Sequence, residues 1–549
     1  MTVAAIAKAS CAQRWLISTN TFLGSGSLGE GSSTRLLWIW WGASPLIDDL
    51  VNFRPHPAPL PLPPMAQPTQ SQDEELAGEV EIGSPFVERL GLVVGPALAA
   101  VAWFAGPSLG LAPDATWVFA LLALMATWWV TLAVEPAVTG LIPLVALGVL
   151  GIGTPAEIAA PFANDVIFLF GGGALLAFAL ERTAMSSRFA SWLVRRAGTS
   201  PLRVLTAVML ATALMSAFVS NLATTATMLP LAVALAARAR GAATDDAGRA
   251  AAARFGTSLF LGVAFAASIG GALTIIGSPP NPIAVEWLRK NGVEMDFVRW
   301  LRFSVPTTAV FLPIAIAVLG VWLFPARGIS VPAGDHRNQP VSRDGWIALG
   351  IFVIAVMAWV SQPLYAKLLP SLKDGTIGVG AAALLFMVPS KDRPGRGILD
   401  GAAFAKVPWR VLVLFGGGLC LADAMQRTGL STSLGTIIHS AGTLPSLAVL
   451  AIMVTLLVFS SEVGSNTTLA AMAVPIVGGL APGLGVKPET LVIPAVFAAS
   501  WAFALPVGTP PNALVYASGH ARSRDMMRAG LILDVVAIVV IVVMAKILL

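Results

Sequence analysis

A polar triplet, Ser465-Asn466-Thr467, interrupts an apolar stretch from Leu456 to Val477, and 245 residues earlier Ser220-Asn221-Leu222 interrupts another. The same spacing pairs Ser216 with Ser461, Pro230 with Pro475, and Phe170-Gly171-Gly172-Gly173 with Phe415-Gly416-Gly417-Gly418. Several matches in one register imply a duplicated unit whose chemistry lies where the copies meet. In lipid, backbone polar groups must be satisfied internally, so a break at depth is tolerated only inside protein or beside a water-filled cavity. A chain of this kind has to fold as helices gathered around its own breaks.

The rest of the sequence is consistent with that constraint. Hydrophobic residues make up 56% and charged residues 11%, against about 25% charged in a soluble domain, and mean hydropathy is +0.80. Many apolar segments are about 20 residues long, the length that crosses a bilayer as a helix. The fold class expected is therefore an all-α polytopic membrane protein: two inverted repeats with re-entrant hairpins and broken helices, about eleven spans. The net charge of +5 does not point to nucleic acid, because Lys and Arg are spread among short loops, where they report topology. Cys11 and Cys420 form no disulfide, metal or redox pattern.

Residues 1–88 are read as an N-terminal extension, disordered or not native, with Met65 or a neighbour as the natural start. Residues 89–549 are expected to form the transmembrane body, with repeat one at about 116–325 and repeat two at about 345–549. Asp165 to Leu180 and Val411 to Met425 carry the triple glycines, and each is expected to be half of a re-entrant hairpin. Leu202 to Ala237 is expected to be a discontinuous helix broken at Ser220-Asn221. Basic residues crowd connections such as Arg238 to Arg254 and Arg522 to Arg528, which places those loops in the cytoplasm. The N-terminus is then cytoplasmic and, with an odd number of spans, the C-terminus outside.

Two further breaks share one pattern: Gly277-Ser278-Pro279-Pro280-Asn281 and Gly508-Thr509-Pro510-Pro511-Asn512, 231 residues apart. The missing 14 residues are assigned to a longer loop around Arg238 to Arg254. Proline supplies no amide donor and glycine tolerates unusual dihedrals, so each pattern leaves carbonyls free to bind a cation. Side-chain oxygens of Ser, Thr and Asn suit a hard cation such as Na⁺, and half-helix N-termini offer amides to an anion. One Ser-Asn break and one Gly-x-Pro-Pro-Asn break per half give two cation sites flanking one anion site. No Arg, Lys or His lies within the four motifs, so a bound anion must be neutralised by co-bound cations and helix dipoles. Glu462, beside Ser461, is ionisable at membrane depth; it either serves the site or anchors the turn.

Ser220-Asn221-Leu222-Ala223-Thr224-Thr225-Ala226, Ser465-Asn466-Thr467-Thr468 and the run from Ala502 to Ala513, ending Gly508-Thr509-Pro510-Pro511-Asn512-Ala513, together resemble the divalent anion/sodium symporter family of dicarboxylate, citrate and sulfate carriers. The resemblance covers roughly Leu90 to Leu549. It implies a first sodium site at Ser216, Ser220, Asn221 and Gly277, and a second at Ser461, Gly464, Ser465, Asn466 and Gly508. It further implies that substrate carboxylates meet Asn221, Ser278, Asn466, Thr467, Thr509 and Pro510. A homodimer in the cell (inner) membrane, with a scaffold and a moving transport domain in elevator-type alternating access, belongs to the same implication. Leu222 departs from the threonine common in the family, which admits sulfate or another anion beside dicarboxylates. The alternative within transport is a sodium-independent anion exchanger. An intramembrane enzyme would need a nucleophile with its base, or a metal cluster, and the sequence shows neither.

Overall fold

The computed structural model describes residues 85–332, 340–440 and 445–549; most of the N-terminal extension lies outside the described residues. Apart from one isolated bridge between Pro389 and Gly397, the named elements among the described residues are helices. Proline punctuates them. It stands at the first turn of α2 (Pro113–Thr131), α3 (Pro136–Leu150), α4 (Pro155–Ala159), α7 (Pro201–Ser216) and α10 (Pro280–Lys290), where its missing N–H costs nothing. Others begin on side-chain caps that take up an orphan amide. Asn164 caps α5 (Asp165–Arg182), Asp245 caps α9 (Asp246–Gly271) and Asp296 caps α11 (Phe297–Ala317). The first helix, α1, is Pro85–Ala105, α6 is Met185–Arg196 and α8 is Asn221–Gly241.

A second series follows in the same order: α12 (Arg343–Tyr365), α13 (Asp374–Met387), α14 (Gly401–Ala405), α15 (Trp409–Arg427), α16 (Leu430–Ser440), α17 (Ser446–Ser461), α18 (Asn466–Leu480), α19 (Glu489–Ser500), α20 (Pro510–Ala517) and α21 (Ser523–Leu548). Each of α2–α11 thus has a counterpart ten helices later. Both limits of α7 recur 245 residues on in α17, and the first residue of α8 recurs in α18. Contacts are exchanged between the series: α5 packs on α13 and α15 on α3, α8 on α20 and α18 on α10. Phe170 meets its own counterpart Phe415 edge to face, ring centroids 5.5 Å apart.

The hairpins are not where the triple glycines are. Residues 171–173 run inside the unbroken α5 and residues 416–418 inside the unbroken α15. These glycines serve close approach between helices. A β-carbon on Gly172 would lie 2.5 Å from the carbonyl carbon of Gly378 in α13, and one on Gly417 would overlap the backbone at Gly140 in α3. Small residues that let backbones touch drive helix association in lipid.

The hairpins are instead at the Ser-Asn motifs. Along α9, Gly262 faces Leu205 and Met209 and Gly270 faces Ala213, so α7 runs parallel to α9. Gly271 faces Asn221 while Gly256 faces Ala236, so α8 runs back again. Helices α7 and α8 are therefore antiparallel arms joined at residues 217–220, and α17 and α18, joined at 462–465, pack on α19 in the same way. The extra length of the first half does lie around Arg238 to Arg254, but as helix rather than loop: α8 has 21 residues against 15 in α18, and α9 has 26 against 12 in α19. The basic segment from Arg238 to Arg254 is mostly helix.

Eight helical stretches among the described residues are long and apolar enough to cross a membrane; α3, α7, α13, α17, α18 and α19 are shorter apolar helices. Four of those six are hairpin arms or half of a split helix. At the end of α10, Arg289 bridges Asp165 at 2.9 Å and Asp374 at 2.6 Å, tying α10 to the starts of α5 and α13.

Candidate functional site

Four half-helices begin at the polar breaks: α8 at Asn221, α10 at Pro280, α18 at Asn466 and α20 at Pro510. Cross-packing of α8 on α20 and α10 on α18 brings elements of both halves together. Amides of a helix's first turn lack intrahelical partners and carry its positive dipole end. Some are taken locally: Ser220 accepts from Ala223, Ser465 from Thr468 and Thr509 from Asn512.

In the first half, Ser216 ends α7, Asn221 begins α8, and the α9–α10 link passes against both. Ser216 Oγ lies 2.7 Å from Asn221 Oδ1 and 2.7 Å from the Ala267 carbonyl. A hydroxyl has one hydrogen to donate, so three oxygens gather around a single proton. A β-carbon at Gly277 would lie 2.6 Å from the Gly271 carbonyl oxygen, 2.8 Å from that of Ala217 and 2.9 Å from that of Ser216. Only glycine brings the link this close to the hairpin turn. Ser278 follows directly and is buried.

The second half repeats the arrangement. Ser461 Oγ is 2.8 Å from Asn466 Oδ1 and 2.7 Å from the Ala499 carbonyl. The same end of the Asn466 amide is 3.2 Å from Ala499 O and 3.3 Å from Gly508 O. With its NH₂ turned that way, Asn466 donates to these oxygens; with its oxygen turned that way, four oxygens face one another and call for a cation. Hard oxygen donors without sulfur or nitrogen suit an alkali or alkaline-earth ion. Among the described residues there is no cluster of three or more His, Cys, Asp or Glu able to hold a metal.

Ser216, Asn221 and Gly277 are thus brought together, as are Ser461, Asn466 and Gly508. Ser220 and Ser465 cap the second arms. Gly464 lies in the second turn, where an added β-carbon would come no nearer than 3.4 Å to the Ser460 carbonyl. Thr467 and Thr509 are buried and Pro510 opens α20. A cavity of about 510 Å³ opens elsewhere, beside Thr199, Phe255 and Arg327, and holds none of these residues.

Two participants are not visible in sequence, and the structure gives three residues that were visible a definite part. The carbonyls of Ala267 and Ala499 belong to residues of no special type. Asn281 Nδ2 donates to Gly271 O at 2.9 Å and Thr274 O at 2.8 Å, tying the two ends of its break, and Asn512 Nδ2 reaches Leu505 O at 3.1 Å and Ala502 O at 3.4 Å. The asparagine closing each Gly-x-Pro-Pro-Asn pattern therefore braces the unwound backbone. Glu462 accepts from the amides of Ala504 at 2.8 Å and Leu505 at 2.6 Å. It anchors the second hairpin turn to the second break.

Residues 120–492 match the family described as CitMHS, citrate transporter. The chain is 33% identical over 467 residues to the sodium-dependent dicarboxylate transporter SdcS of Staphylococcus saprophyticus, covering 83% of this chain and 90% of that one. It matches the protein of the same name from Staphylococcus aureus to the same extent. Among solved structures, the YdaH transporter of Alcanivorax borkumensis aligns with a TM-score of 0.48 and 15% identity, over 75% of this chain and 98% of that one. With a family match over most of its length and relatives this similar over nearly all of theirs, the chain belongs to the citrate transporter family, among the divalent anion/sodium symporters.

Proposed function

We propose that this protein is a secondary active transporter that carries a small divalent anion, a dicarboxylate in the first place, together with Na⁺. The observation that carries the reading is the paired oxygen cluster, Ser216–Asn221–Ala267 and Ser461–Asn466–Ala499, built from neutral groups at the turns of two hairpins. Its relatives' printed name, sodium-dependent dicarboxylate transporter, agrees. One Na⁺ is held by Ser216, Ser220, Asn221 and Gly277, the other by Ser461, Gly464, Ser465, Asn466 and Gly508. Substrate carboxylates are met by Asn221, Ser278, Asn466, Thr467, Thr509 and Pro510 at the half-helix N-termini. Each asparagine then touches both a cation and the anion. Neither ion binds well alone, because no basic side chain in the motifs neutralises the anion; the coupling follows.

Helices α2, α3, α5, the split α9–α10 and α11 give the first series five crossings, while a re-entrant hairpin returns to its own side. An odd count turns the second series over, supporting inverted repeats with the N-terminus cytoplasmic and the C-terminus outside. The hairpins with their split helices form the moving domain of an elevator, and the remaining helices form the scaffold of a homodimer in the cell membrane.

The test is uptake of labelled succinate into proteoliposomes under an inward Na⁺ gradient. Accumulation above equilibrium that vanishes when choline replaces Na⁺ supports the reading. Full uptake without Na⁺ replaces it with exchange, and flux that never exceeds equilibrium replaces it with a channel. Leu222 favours one second reading, a sulfate carrier; sulfate that competes with succinate at lower concentration than malate or citrate would establish it.

A further inference from the structure

Three arginines meet at one carboxylate where α5 ends and the chain passes from α13 to α14. Arg182, in the last turn of α5, lies 3.4 Å from Asp400 Oδ1 and 3.3 Å from Oδ2, while Arg393 and Arg396 reach the same Oδ2 at 3.0 and 3.4 Å. The loop that supplies the last two is tightly built. Asp344, at the start of α12, accepts from Ser390 Oγ and from the amides of Lys391 and Asp392 at 3.0 and 3.2 Å. Ser390 Oγ in turn accepts from the Arg393 amide at 2.9 Å, Ser390 N donates to Arg396 O at 2.8 Å, and Gly395 makes the turn with a φ of 83°. Both arginines are thereby delivered to Asp400.

One negative charge thus faces three positive ones. Matched guanidinium–carboxylate hydrogen bonds close to about 2.7–2.9 Å, yet Arg182 and Arg396 stay at 3.3–3.4 Å. Asp344, the second acid of this corner, is spent on Ser390 and two amides. Arg393 Nη2 is buried with no acceptor among the described residues, and so is Nη1 of Arg188. Arg188 lies one turn of α6 beyond Met185, whose Sδ is 3.3 Å from where a β-carbon on Gly345, the neighbour of Asp344, would stand. A buried donor without a partner is costly, more so when charged, and what each of these nitrogens lacks is an acceptor. The corner is open to solvent on one side, where the Arg393 side chain is 37% and that of Arg396 65% exposed.

We infer that Arg182, Arg393 and Arg396 form a binding site for a phosphate-class anion on the cytoplasmic side, built from none of the transport-site residues. The planar guanidinium fork matches the spacing of phosphate oxygens. Asp400 gathers the three guanidiniums and competes with the anion for them. The side follows from the chain's course: from a cytoplasmic N-terminus, α1, α2, α3 and α5 cross in turn and leave Arg182 inside, together with the basic connection of Lys391, Arg393 and Arg396. Two sources of the same chemistry reach that face, the phosphate headgroup of an anionic phospholipid in the inner leaflet and a free phosphate of the cytoplasm.

Full-length wild type, Arg393→Gln, Arg396→Gln and Asp400→Asn are purified in an uncharged detergent and melted in Na⁺-free choline chloride at constant ionic strength. Two probes are titrated: inorganic phosphate, and phosphatidylglycerol against phosphatidylcholine in mixed micelles. The wild-type melting temperature should rise saturably. A rise with inorganic phosphate identifies a free anion as occupant, and a rise with phosphatidylglycerol alone identifies a lipid headgroup. Arg393→Gln and Arg396→Gln each remove charge-assisted donors and should raise the half-saturating concentration at least about tenfold. Arg396 is the most exposed of the three, so its variant carries the test if another does not fold. Asp400→Asn separates an anion site from a merely structural ion pair. It should melt lower when empty, yet bind the probe severalfold more tightly because the competing carboxylate is gone. No saturable shift in wild type with either probe, a shift that both arginine variants keep unchanged, or weaker binding by folded Asp400→Asn overturns the inference.

Discussion

Arg289 offers the sharpest test of how the body is held together. Its guanidinium reaches Asp374 Oδ2 at 2.6 Å, Asp165 Oδ2 at 2.9 Å and the Met295 carbonyl at 2.5 Å. The Asp374 side chain is fully buried, while Asp165 is about one-fifth exposed and keeps a second donor in the Gly375 amide at 2.9 Å. Arg289→Gln therefore acts unequally on its partners. Stranding a buried carboxylate costs about 3–5 kcal/mol; the partly exposed pair with Asp165 adds about 0–1 kcal/mol at most. A loss of about 3–6 kcal/mol is expected, seen as a lowered melting temperature in detergent. The diagnostic comparison is the double variant Arg289→Gln/Asp374→Asn, which removes both charges and leaves no stranded carboxylate. It should melt above the Arg289→Gln single variant, a coupling of the kind double-mutant cycles isolate. A double variant that melts no higher than the single would refute the argument that buried charge, rather than lost packing, sets the cost.

The glycine contacts give a second set of outcomes. Gly172→Val, whose side chain would collide with the Gly378–Val379 backbone, should not accumulate as folded protein, whereas Gly148→Ala, with nothing within 4 Å, should be neutral or stabilised by about 0.5–1 kcal/mol; size-exclusion profiles of the two decide it. Asn466→Ala removes the one side chain shared by the second cluster and the α18 N-terminus, and should abolish Na⁺-driven uptake with an unchanged melting temperature. Persisting uptake would remove Asn466 from the site. Leu222→Thr restores a hydroxyl at the position matching Thr467 and should lower succinate KM relative to sulfate, read by competition in the same vesicles. No change in the ratio would place Leu222 outside the anion's reach.

The paired register carried most of what the sequence disclosed. Ser216 with Ser461, Asn221 with Asn466 and Gly277 with Gly508 stand in equivalent geometry, because a hairpin turn and an unwound link need small, polar, bend-tolerant residues that an apolar helix otherwise excludes. The same signature misled at Gly171 to Gly173. Three glycines inside an apolar segment signify either a backbone that breaks or one that another backbone must touch, and the two differ only in what packs outside. Gly378 and Gly140, the partners that decide it, lie about two hundred or more residues away and carry no mark of the pairing. Ala267 and Ala499 escape for a related reason, since a carbonyl ligand is contributed by any residue and is chosen by where the helix runs. Glu462 was conspicuous as an acid at membrane depth, yet the groups it holds, the amides of Ala504 and Leu505, lie about forty residues away and carry no mark in the sequence. Its counterpart in the first half is the neutral Ala217. Duplication therefore discloses what the halves share, and the departures from it, Leu222 at the position of Thr467 and Ala217 at that of Glu462, are where two copies of one unit can take unequal parts in a single transport cycle.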